Sequence, residues 1–391
     1  MIQSIVIYSI LFGIMLIFAR KTAKGEYLLA MHCQSQTKSF WGFDIYIPII
    51  LFSVIFGMRY DVGTDHLTYL RKYVDEITTE RYEPLFGALT EFCQYLNLHF
   101  SIYFGILAFI QIFFFYFSFK NERYLYPFLI FFFFVNEDWM PWMNIIRQSV
   151  AMCIWLYSIK FIEEKKLWKY LFWVILAFCF HRSAIILVVF YPLLKSGRDY
   201  FNNTGIQLFL LAIVFLINRL FANIVLQIDS VVNLYSSLLG TSSYAESYNT
   251  DKLLESFSEN EGTGLGFLFK LFISIIIILY SRKLKIFYNS KRYNIIYFFF
   301  FLGLLTFYVF PPGAISISRP FRFFYIFQMI MYGYFAYFLY STRAIKGRLE
   351  LFYFIIITFL GMFYLSQITA NIDSHKWYQF YFQVKDIFYL K

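Results

Sequence analysis

Residues 297–310 read YFFFFLGLLTFYVF, a stretch without a charged side chain, and residues 273–280 read ISIIIILY. Apolar runs of this kind recur along the whole chain. They are typical of helices that cross a lipid bilayer, which need about 20 mostly apolar residues each. An outer-membrane barrel would instead show alternating segments of about ten residues. The runs therefore predict membrane-spanning helices.

The composition of the whole chain agrees with these runs. Of its 391 residues 60% are apolar, 24% are aromatic and only 15% are charged, whereas soluble globular proteins carry about 25% charged residues. Intrinsic disorder requires low hydrophobicity and high net charge. Both of these classes are excluded. The sequence predicts an all-α polytopic membrane protein in which residues 1–391 form a single integral membrane domain.

Twelve stretches qualify as candidate spans, and because three of them are short we expect ten to twelve transmembrane helices. The candidates are 2–19, 40–58, 98–119, 124–136, 141–161, 167–180, 183–194, 206–226, 264–281, 293–310, 322–341 and 349–367. The spans 167–180 and 183–194 flank His181 and Arg182, so they are either two spans or one broken hairpin.

The distribution of basic residues predicts the orientation of these spans. The connections between successive spans fall alternately into two sets along the chain. One set carries 20 Lys and Arg against 6 Asp and Glu, and the other carries 12 Lys and Arg against 17 Asp and Glu. Cytoplasmic connections collect Lys and Arg, so the first set is predicted to be cytoplasmic. The first set is 20–39, 120–123, 160–169, 195–199, 282–292 and 342–350. The second set is 59–97, 136–147, 181–182, 227–263, 311–322 and 368–391.

The two longest connections, 59–97 and 227–263, are therefore predicted to be external loops. Within the first, the stretch from Asp65 to Leu96 has apolar residues at helical spacing, which predicts an amphipathic helix on the membrane surface. The second is rich in Ser, Thr, Asn and Tyr and is interpreted as a flexible lid.

The sequence offers no motif for a cofactor. None of the four cysteines belongs to a C-x-x-C pair, and no D-x-D, H-x-x-x-H, P-loop or G-x-G-x-x-G motif occurs. We therefore expect no disulfide framework, no metal site and no cofactor. The net charge of +10 is explained by the cytoplasmic connections, so no nucleic-acid partner is expected.

Basic residues also lie where the positive-inside trend predicts few of them. They occur in or beside spans, toward the predicted outer end: Arg59, Arg147, Arg182, Arg219, Lys270, Arg319 and Arg322. Each one alone is commonly a side chain that snorkels to headgroups, although Arg147 is predicted to lie two turns inside the span 141–161. Together they predict an outward-facing anion site, because arginine binds phosphate through a planar fork.

Carboxylates and one histidine share this predicted outer end. Asp61 and Asp65 are four residues apart, and either one orients an acceptor hydroxyl or acts as a general base. Glu83 lies in the same connection. His181 stands beside a buried apolar run, where a neutral imidazole is a base, a hydrogen-bond donor or simply a structural residue.

Five segments resemble the motifs of the EpsG family of polysaccharide polymerases. The segments are Arg59-Tyr60-Asp61-Val62-Gly63-Thr64-Asp65 with Tyr69 (R-x-x-V-G-T-D-x-x-x-Y), Glu83-Pro84-Leu85-Phe86 (E-P-x-F), Arg147-Gln148-Ser149-Val150-Ala151 (R-Q-x-x-A), Phe180-His181-Arg182-Ser183-Ala184 (F-H-x-S-A) and Arg319 to Tyr325. Their order and spacing cover roughly residues 40–340.

The resemblance implies a Wzy-like polymerase with a fold similar to the GT-C class of glycosyltransferases. Such enzymes join undecaprenyl-pyrophosphate-linked oligosaccharide repeat units of capsule, O-antigen or exopolysaccharide. The implied location is the bacterial cytoplasmic (inner) membrane, with the active site facing the periplasm or exterior. Membrane lipid and a chain-length regulator protein are the implied further partners.

The chemistry of such a transfer assigns roles to the candidate residues. Negative charge grows on the leaving pyrophosphate, and cations stabilise it, so Arg147 with Arg319 or Arg322, and Arg59, are expected to bind it. Asp61, Glu83 and Arg182 are expected to complete the substrate contacts. His181 is the first choice for the general base and Asp65 the second. Two alternatives remain open, an O-antigen ligase and a lipid-linked oligosaccharide flippase.

Overall fold

The computed structural model describes residues 1–31, 40–75, 83–227, 264–310, 318–370 and 374–384. Over these residues the protein is almost entirely helical. The helices are α1 (Ile2–Met31), α2 (Phe43–Gly57), α3 (His66–Val74), α4 (Pro84–Tyr95), α5 (Phe100–Ser118), α6 (Tyr126–Val135), α7 (Trp139–Asn144), α8 (Ile146–Glu163), α9 (Leu167–Phe180), α10 (Phe190–Leu194), α11 (Thr204–Gln227), α12 (Leu265–Tyr288), α13 (Lys291–Val309), α14 (Ile326–Ser341) and α15 (Arg348–Thr369).

Two short strands and four 3-10 helices complete the described secondary structure. The strands β1 (Arg59–Tyr60) and β2 (Gln379–Phe380) pair in antiparallel register, with Arg59 opposite Phe380 and Tyr60 opposite Gln379. The 3-10 helices are Arg123–Leu125, Arg182–Val189, Arg319–Phe324 and Tyr381–Gln383.

The membrane character of the helices follows from their length and their exposed faces. Among the described residues, six helical segments are long and apolar enough to cross a bilayer, and five shorter apolar helices accompany them. The six are Ile2–Gly25, Phe100–Ser118, Leu265–Tyr288, Lys291–Val309, Arg319–Ser341 and Arg348–Thr369. Their exposed side chains include Ile17 of α1 and Ile357 of α15, which suits contact with lipid. The prediction of an all-α polytopic membrane protein is confirmed.

The chain forms two compact units. The first contains Met1–Tyr191 and Tyr332–Lys391, and the second contains Pro192–Met331. The single membrane domain expected from the sequence stays a prediction. The predicted external loop 227–263 lies outside the described residues, apart from Gln227 at the end of α11.

In the first unit, connections that were assigned to the same side contact one another. Glu83, in connection 59–97, forms an ion pair with Arg147, in connection 136–147. Asp61 lies 3.1 Å from Nδ1 of His375, in connection 368–391. These contacts agree with the alternation of spans that the charge pattern predicts within this unit.

The predicted span 141–161 is interrupted, and this corrects the position of Arg147. Ile145 has φ −87° and ψ 55°, which ends α7 and starts α8. Arg147 is the second residue of α8 and not two turns inside a helix. Because Ile145 leaves the helical region, α7 ends there and a new helix begins at Ile146. Arg147 thus lies in the first turn of an 18-residue helix, which is the positive end of the helix dipole.

The single helix expected from Asp65 to Leu96 is divided into α3 and α4. Pro84 is the first residue of α4, with Glu83 as its N-cap in extended conformation. Proline favours this position because its missing N–H would have no helical partner there. Helix α3 is amphipathic and buries His66, Leu70 and Tyr73, so it packs on the protein through one face.

Helix α9 and the 3-10 helix Arg182–Val189 form a hairpin, an arrangement that is common to both alternatives for this region. The Tyr170 hydroxyl donates to the Leu187 carbonyl at 2.6 Å and accepts from the Trp155 indole at 3.2 Å. His181 ends α9 in extended conformation, with φ −157° and ψ 117°. The apex of the hairpin therefore carries His181 and Arg182.

The second unit is held by buried polar contacts as well as by apolar packing. The Tyr297 hydroxyl donates to Oε1 of the fully buried Gln207 at 2.5 Å. Lys285 forms an ion pair of 2.7 Å with Asp199. Gly303 lets α13 lie directly against the backbone of Phe324. This unit carries Arg319 and Arg322 on the 3-10 helix Arg319–Phe324.

Two glycines allow helices α2 and α5 to touch through their backbones. A Cβ atom on Gly57 would collide with the Ser101 carbonyl oxygen and would lie 3.0 Å from the Cα of Gly105. Contact of small residues between membrane helices is a common basis of close packing. This contact fixes the end of α2, from which the chain continues into β1.

We expect Gly57→Ala to destabilise the protein by about 1–3 kcal/mol, because the added methyl group meets backbone that has no rotamer to change. The measurement is the melting temperature of the detergent-purified protein. Gly13→Ala is the matched control, since nothing lies within 4 Å of a Cβ at Gly13, and it should leave the melting temperature unchanged or raise it. An unchanged melting temperature for Gly57→Ala would contradict the close contact.

Candidate functional site

Arg59 is buried, with 2% of its surface exposed, and its guanidinium is directed at backbone carbonyls. Nε donates to Val62 at 3.3 Å, Nη2 donates to Met143 at 3.2 Å, and Nη1 donates to Phe56. Burial lowers its pKa to about 10, so the group remains charged at neutral pH. Arg59 was expected to bind pyrophosphate; this geometry instead favours a clamp that joins the end of α2 to the end of α7.

The residues after Arg59 form a tight loop that docks on Asn144. The Asn144 side-chain oxygen accepts hydrogen bonds from the Thr64 hydroxyl and from the Asp65 backbone N–H, both at 2.8 Å. Gly63 has φ +91°, and a Cβ atom added to it would lie 3.3 Å from the backbone of Met143. A larger residue there would therefore be strained and crowded. We call residues 59–65 the motif loop.

Asp61 connects the motif loop to two histidines. Its backbone N–H donates to Nδ1 of His66 at 3.2 Å, and its Oδ1 lies 3.1 Å from Nδ1 of His375. His66 is fully buried, and burial together with the nearby Arg59 lowers its pKa well below the usual value. His66 is therefore neutral and serves as a hydrogen-bond acceptor for the loop.

Asp65 is the N-cap of α3 and its side chain is exposed. Its backbone carbonyl accepts from Tyr69 at 3.0 Å. The Asp65 carboxylate raises the pKa of Tyr69, and the Arg147 guanidinium lowers it. Asp65 is thus an accessible carboxylate whose backbone N–H is held by Asn144.

The centre of the site is an ion pair between Glu83 and Arg147. Oε2 of Glu83 lies 2.7 Å from Nη1 of Arg147; the Glu83 side chain is 2% exposed and the Arg147 side chain 21%. The other oxygen of Glu83 accepts the backbone N–H of Arg182 at 3.3 Å. Glu83 was expected to contact substrate, but its burial and its two partners make it the residue that orients Arg147.

Two aromatic side chains complete the surroundings of Arg147. Its Nε donates to the Tyr69 hydroxyl at 3.3 Å, and its guanidinium carbon lies 5.9 Å from the ring centre of Phe86. Burial raises the pKa of Tyr69, and Arg147 opposes part of that increase. The phenol therefore stays protonated, and its oxygen helps to hold the guanidinium in one orientation.

His181 caps the 3-10 helix that begins at Arg182. Its Nδ1 accepts from the Ser183 backbone N–H at 3.3 Å and lies 2.8 Å from the Ser183 hydroxyl. A backbone N–H can only donate, so Nδ1 carries no proton and the neutral ring holds its proton on Nε2. In this tautomer Nε2 is a donor, which differs from the general-base role expected from the sequence.

The structure brings together most of the predicted site residues. Asp61, Asp65, Glu83, Arg147, His181 and Arg182 all lie at one end of the first unit. Arg319, Arg322 and Lys270 belong to the second unit. The side chain of Arg219 lies outside the described residues.

Sequence reasoning missed two residues that support the motif loop, Asn144 and His375. Asn144 precedes Arg147 by three residues, and no motif of the sequence marks it as a partner of the loop. His375 follows the last predicted span, and its 314-residue separation from Asp61 leaves no local signal in the sequence. Across the described residues, His, Cys, Asp and Glu form no group of three or more that could hold a metal ion; the absence of a metal requirement stays a prediction.

The comparison with known proteins agrees with the motifs quoted above. The sequence model of the EpsG family matches residues 44–382, which covers most of the chain and includes the motif loop, Glu83, Arg147 and His181. No curated protein and no solved structure matches the chain. The match supports a role of the polysaccharide-polymerase type. The chain therefore belongs to the EpsG family, the family of Wzy-like polysaccharide polymerases.

Proposed function

We propose that the protein is a glycosyltransferase that polymerises undecaprenyl-pyrophosphate-linked oligosaccharide repeat units on the outer face of the bacterial cytoplasmic membrane. The observation that carries the proposal is an arginine at a helix N-terminus that a buried carboxylate holds, the same carboxylate that binds the backbone next to His181. Family membership supports the general type of reaction, and the charge pattern supports the outward direction. A GT-C-like fold and a chain-length regulator as partner belong to the same proposal.

Arg147 is suited to the leaving pyrophosphate. Its guanidinium is fixed on one side by Glu83 and Tyr69, so little reorganisation is needed when charge develops. The N-terminus of α8 adds its positive dipole to the same place. Arg182, whose backbone N–H donates to Glu83, is proposed as a second substrate-binding arginine. Arg319 and Arg322 belong to the second unit, and their contact with pyrophosphate stays a prediction from the sequence.

The acid–base roles follow from exposure and tautomer. In the proposed step, an acceptor hydroxyl loses its proton to Asp65 and its oxygen forms a bond to the anomeric carbon. The bond from that carbon to the pyrophosphate oxygen breaks, and undecaprenyl pyrophosphate leaves with the electron pair. His181 donates a hydrogen bond from Nε2 to the donor substrate. We thus reverse the order of the two candidates for the general base. Asp65 is the proposed base, and His181 is the proposed hydrogen-bond donor.

The decisive experiment is deletion of the gene followed by gel analysis of the surface polysaccharide and of the lipid-linked pool. A single-repeat band in place of a ladder supports a polymerase. Accumulation of lipid-linked repeats on the inner leaflet would identify a flippase. Full-length polymer that stays on its carrier would identify a ligase.

Arg147→Lys should lower turnover by roughly 10- to 100-fold, and Arg147→Ala by at least about 100-fold, because a point charge cannot reproduce an oriented fork. Glu83→Gln keeps the shape but releases Arg147 and should lower turnover about 10-fold. The assay follows polymerisation of purified lipid-linked repeats.

The matched control for these variants is Arg71→Ala, an arginine of the same external segment whose ion pair with Asp75 is exposed. It should polymerise like the parent. A parental rate for Arg147→Ala at equal protein would remove Arg147 from the site.

His181→Gln should retain turnover within about fivefold, because the glutamine amide places an N–H near the position of Nε2. Asp65→Asn should lower turnover by about 10²–10⁴-fold, the usual range for loss of a general base. The measurement is the pH–rate profile of each variant. If His181→Gln loses an ascending limb near pH 6–7, where a free imidazole titrates at about 6.5, His181 is the base after all.

Polymerisation should proceed in excess EDTA, since arginines and a helix N-terminus are proposed to stabilise the leaving group. The test uses purified protein and lipid-linked repeats, with and without added Mg²⁺ or Mn²⁺. Loss of activity in EDTA that either ion restores would show a metal requirement, with Asp61 and Asp65 the first candidate ligands.

A further inference from the structure

Residues 374–384 return to the motif loop after the last helix, and we call them the C-terminal clasp. Strand β2 of the clasp pairs with β1 of the loop. The Tyr381 N–H donates to the Met58 carbonyl at 3.0 Å, and the Gly63 N–H donates to the His375 carbonyl at 3.0 Å. The clasp therefore contacts the chain at Met58, just before the motif loop, and at Arg59, Tyr60 and Gly63 within it.

The clasp is itself held firmly by three helices. Lys376 binds Glu137 at 2.9 Å and the Ser366 hydroxyl of α15 at 2.8 Å. The Tyr378 N–H donates to the Ser4 hydroxyl of α1 at 2.8 Å, and the Tyr378 hydroxyl donates to the Ile55 carbonyl of α2 at 2.6 Å. Because these anchors lie on separate elements, the clasp is a fixed support and not a loose tail.

A side-chain contact also links the clasp to the loop. Nδ1 of His375 lies 3.1 Å from Oδ1 of Asp61, and since a carboxylate oxygen accepts, Nδ1 carries the proton. Asp61 has φ 51° and Gly63 has φ 91°. A non-glycine residue keeps such a left-handed conformation when its surroundings hold it there.

Resting on the proposed function, we propose that His375 is a positioning residue for catalysis: its imidazole holds Asp61 in the left-handed conformation that places Asp65 against Asn144, three residues before Arg147. Asp65 follows Asp61 by four residues, and the intervening turn is docked on Asn144. The contact of Asp61 with His375 and that of Asp65 N–H with Asn144 hold the backbone of the loop at both positions. His375 acts through Asp61 and does not touch the Glu83–Arg147 pair in this arrangement.

The test compares substitutions of His375 in the purified full-length protein. Glycine suits the φ of 48° at this position but removes the imidazole. Asparagine also tolerates this conformation, and its amide N–H takes the place of Nδ1–H. Gln383→Ala is the control, since Gln383 belongs to the clasp but its side chain contacts Gln3 and the Phe380 N–H.

We expect His375→Gly to lower kcat about 10-fold with KM changed less than twofold, because the arginines that bind the lipid-linked donor are untouched. His375→Asn should recover turnover to within about threefold of the parent, and Gln383→Ala should match the parent. A KM increase without loss of kcat, or a parental kcat for His375→Gly, would overturn the proposal. So would an asparagine variant as slow as the glycine variant.

A double-mutant cycle separates positioning from general loss of structure. Asp61→Gly should also lower kcat, and the double variant with His375→Gly should be no slower than the slower single variant, because both remove one interaction. Additive losses would overturn the proposal. If His375→Gly does not yield folded protein, His375→Gln replaces it. The glutamine amide nitrogen lies one carbon farther from the backbone than Nδ1 of the imidazole, so it does not take the place of that donor. Absence of polymer from the parent protein would instead reject the proposed function.

Discussion

The arrangement of the site depends on one buried ion pair, between Glu83 and Arg147. Glu83 caps α4, Arg147 begins α8, and the second oxygen of Glu83 binds the backbone at the apex of the α9 hairpin. Loss of one partner from a buried pair typically costs about 3–5 kcal/mol, because the other charge is left without compensation. The Glu83 carboxylate thus joins α4, α8 and the apex of the hairpin. Its contact with Arg147 sets the orientation of the guanidinium.

Much of the architecture could be predicted from the sequence, because apolar length and charge asymmetry are local properties. Each of the twelve predicted spans contains a helix, and the connections assigned to one side meet in the first unit. The errors arise where a single residue interrupts a periodic pattern. Ile145 ends one helix and starts another, so Arg147 lies in a first turn, and Pro84 divides the stretch from Asp65 to Leu96.

The candidate site was predictable in its membership but not in its roles. Family-like motifs identified Arg59 and Glu83, yet only coordinates show that Arg59 donates to three carbonyls and that Glu83 is buried against Arg147. The tautomer of His181 depends on a backbone N–H two residues later. Contacts such as that of His375 with Asp61 join positions far apart in the chain, and no single-sequence pattern encodes them.

The position of the clasp sets an order of assembly during synthesis. Asp61 and His375 are separated by 314 residues, and at about 5–20 residues per second the ribosome needs about 15–60 s to add them. Throughout that interval α1 and α2 can insert into the membrane. Strand β1 has no partner strand, however, and the Asp61 carboxylate lacks the imidazole of His375. The nascent protein is consequently unable to complete the motif loop until α15 and the clasp have been synthesised.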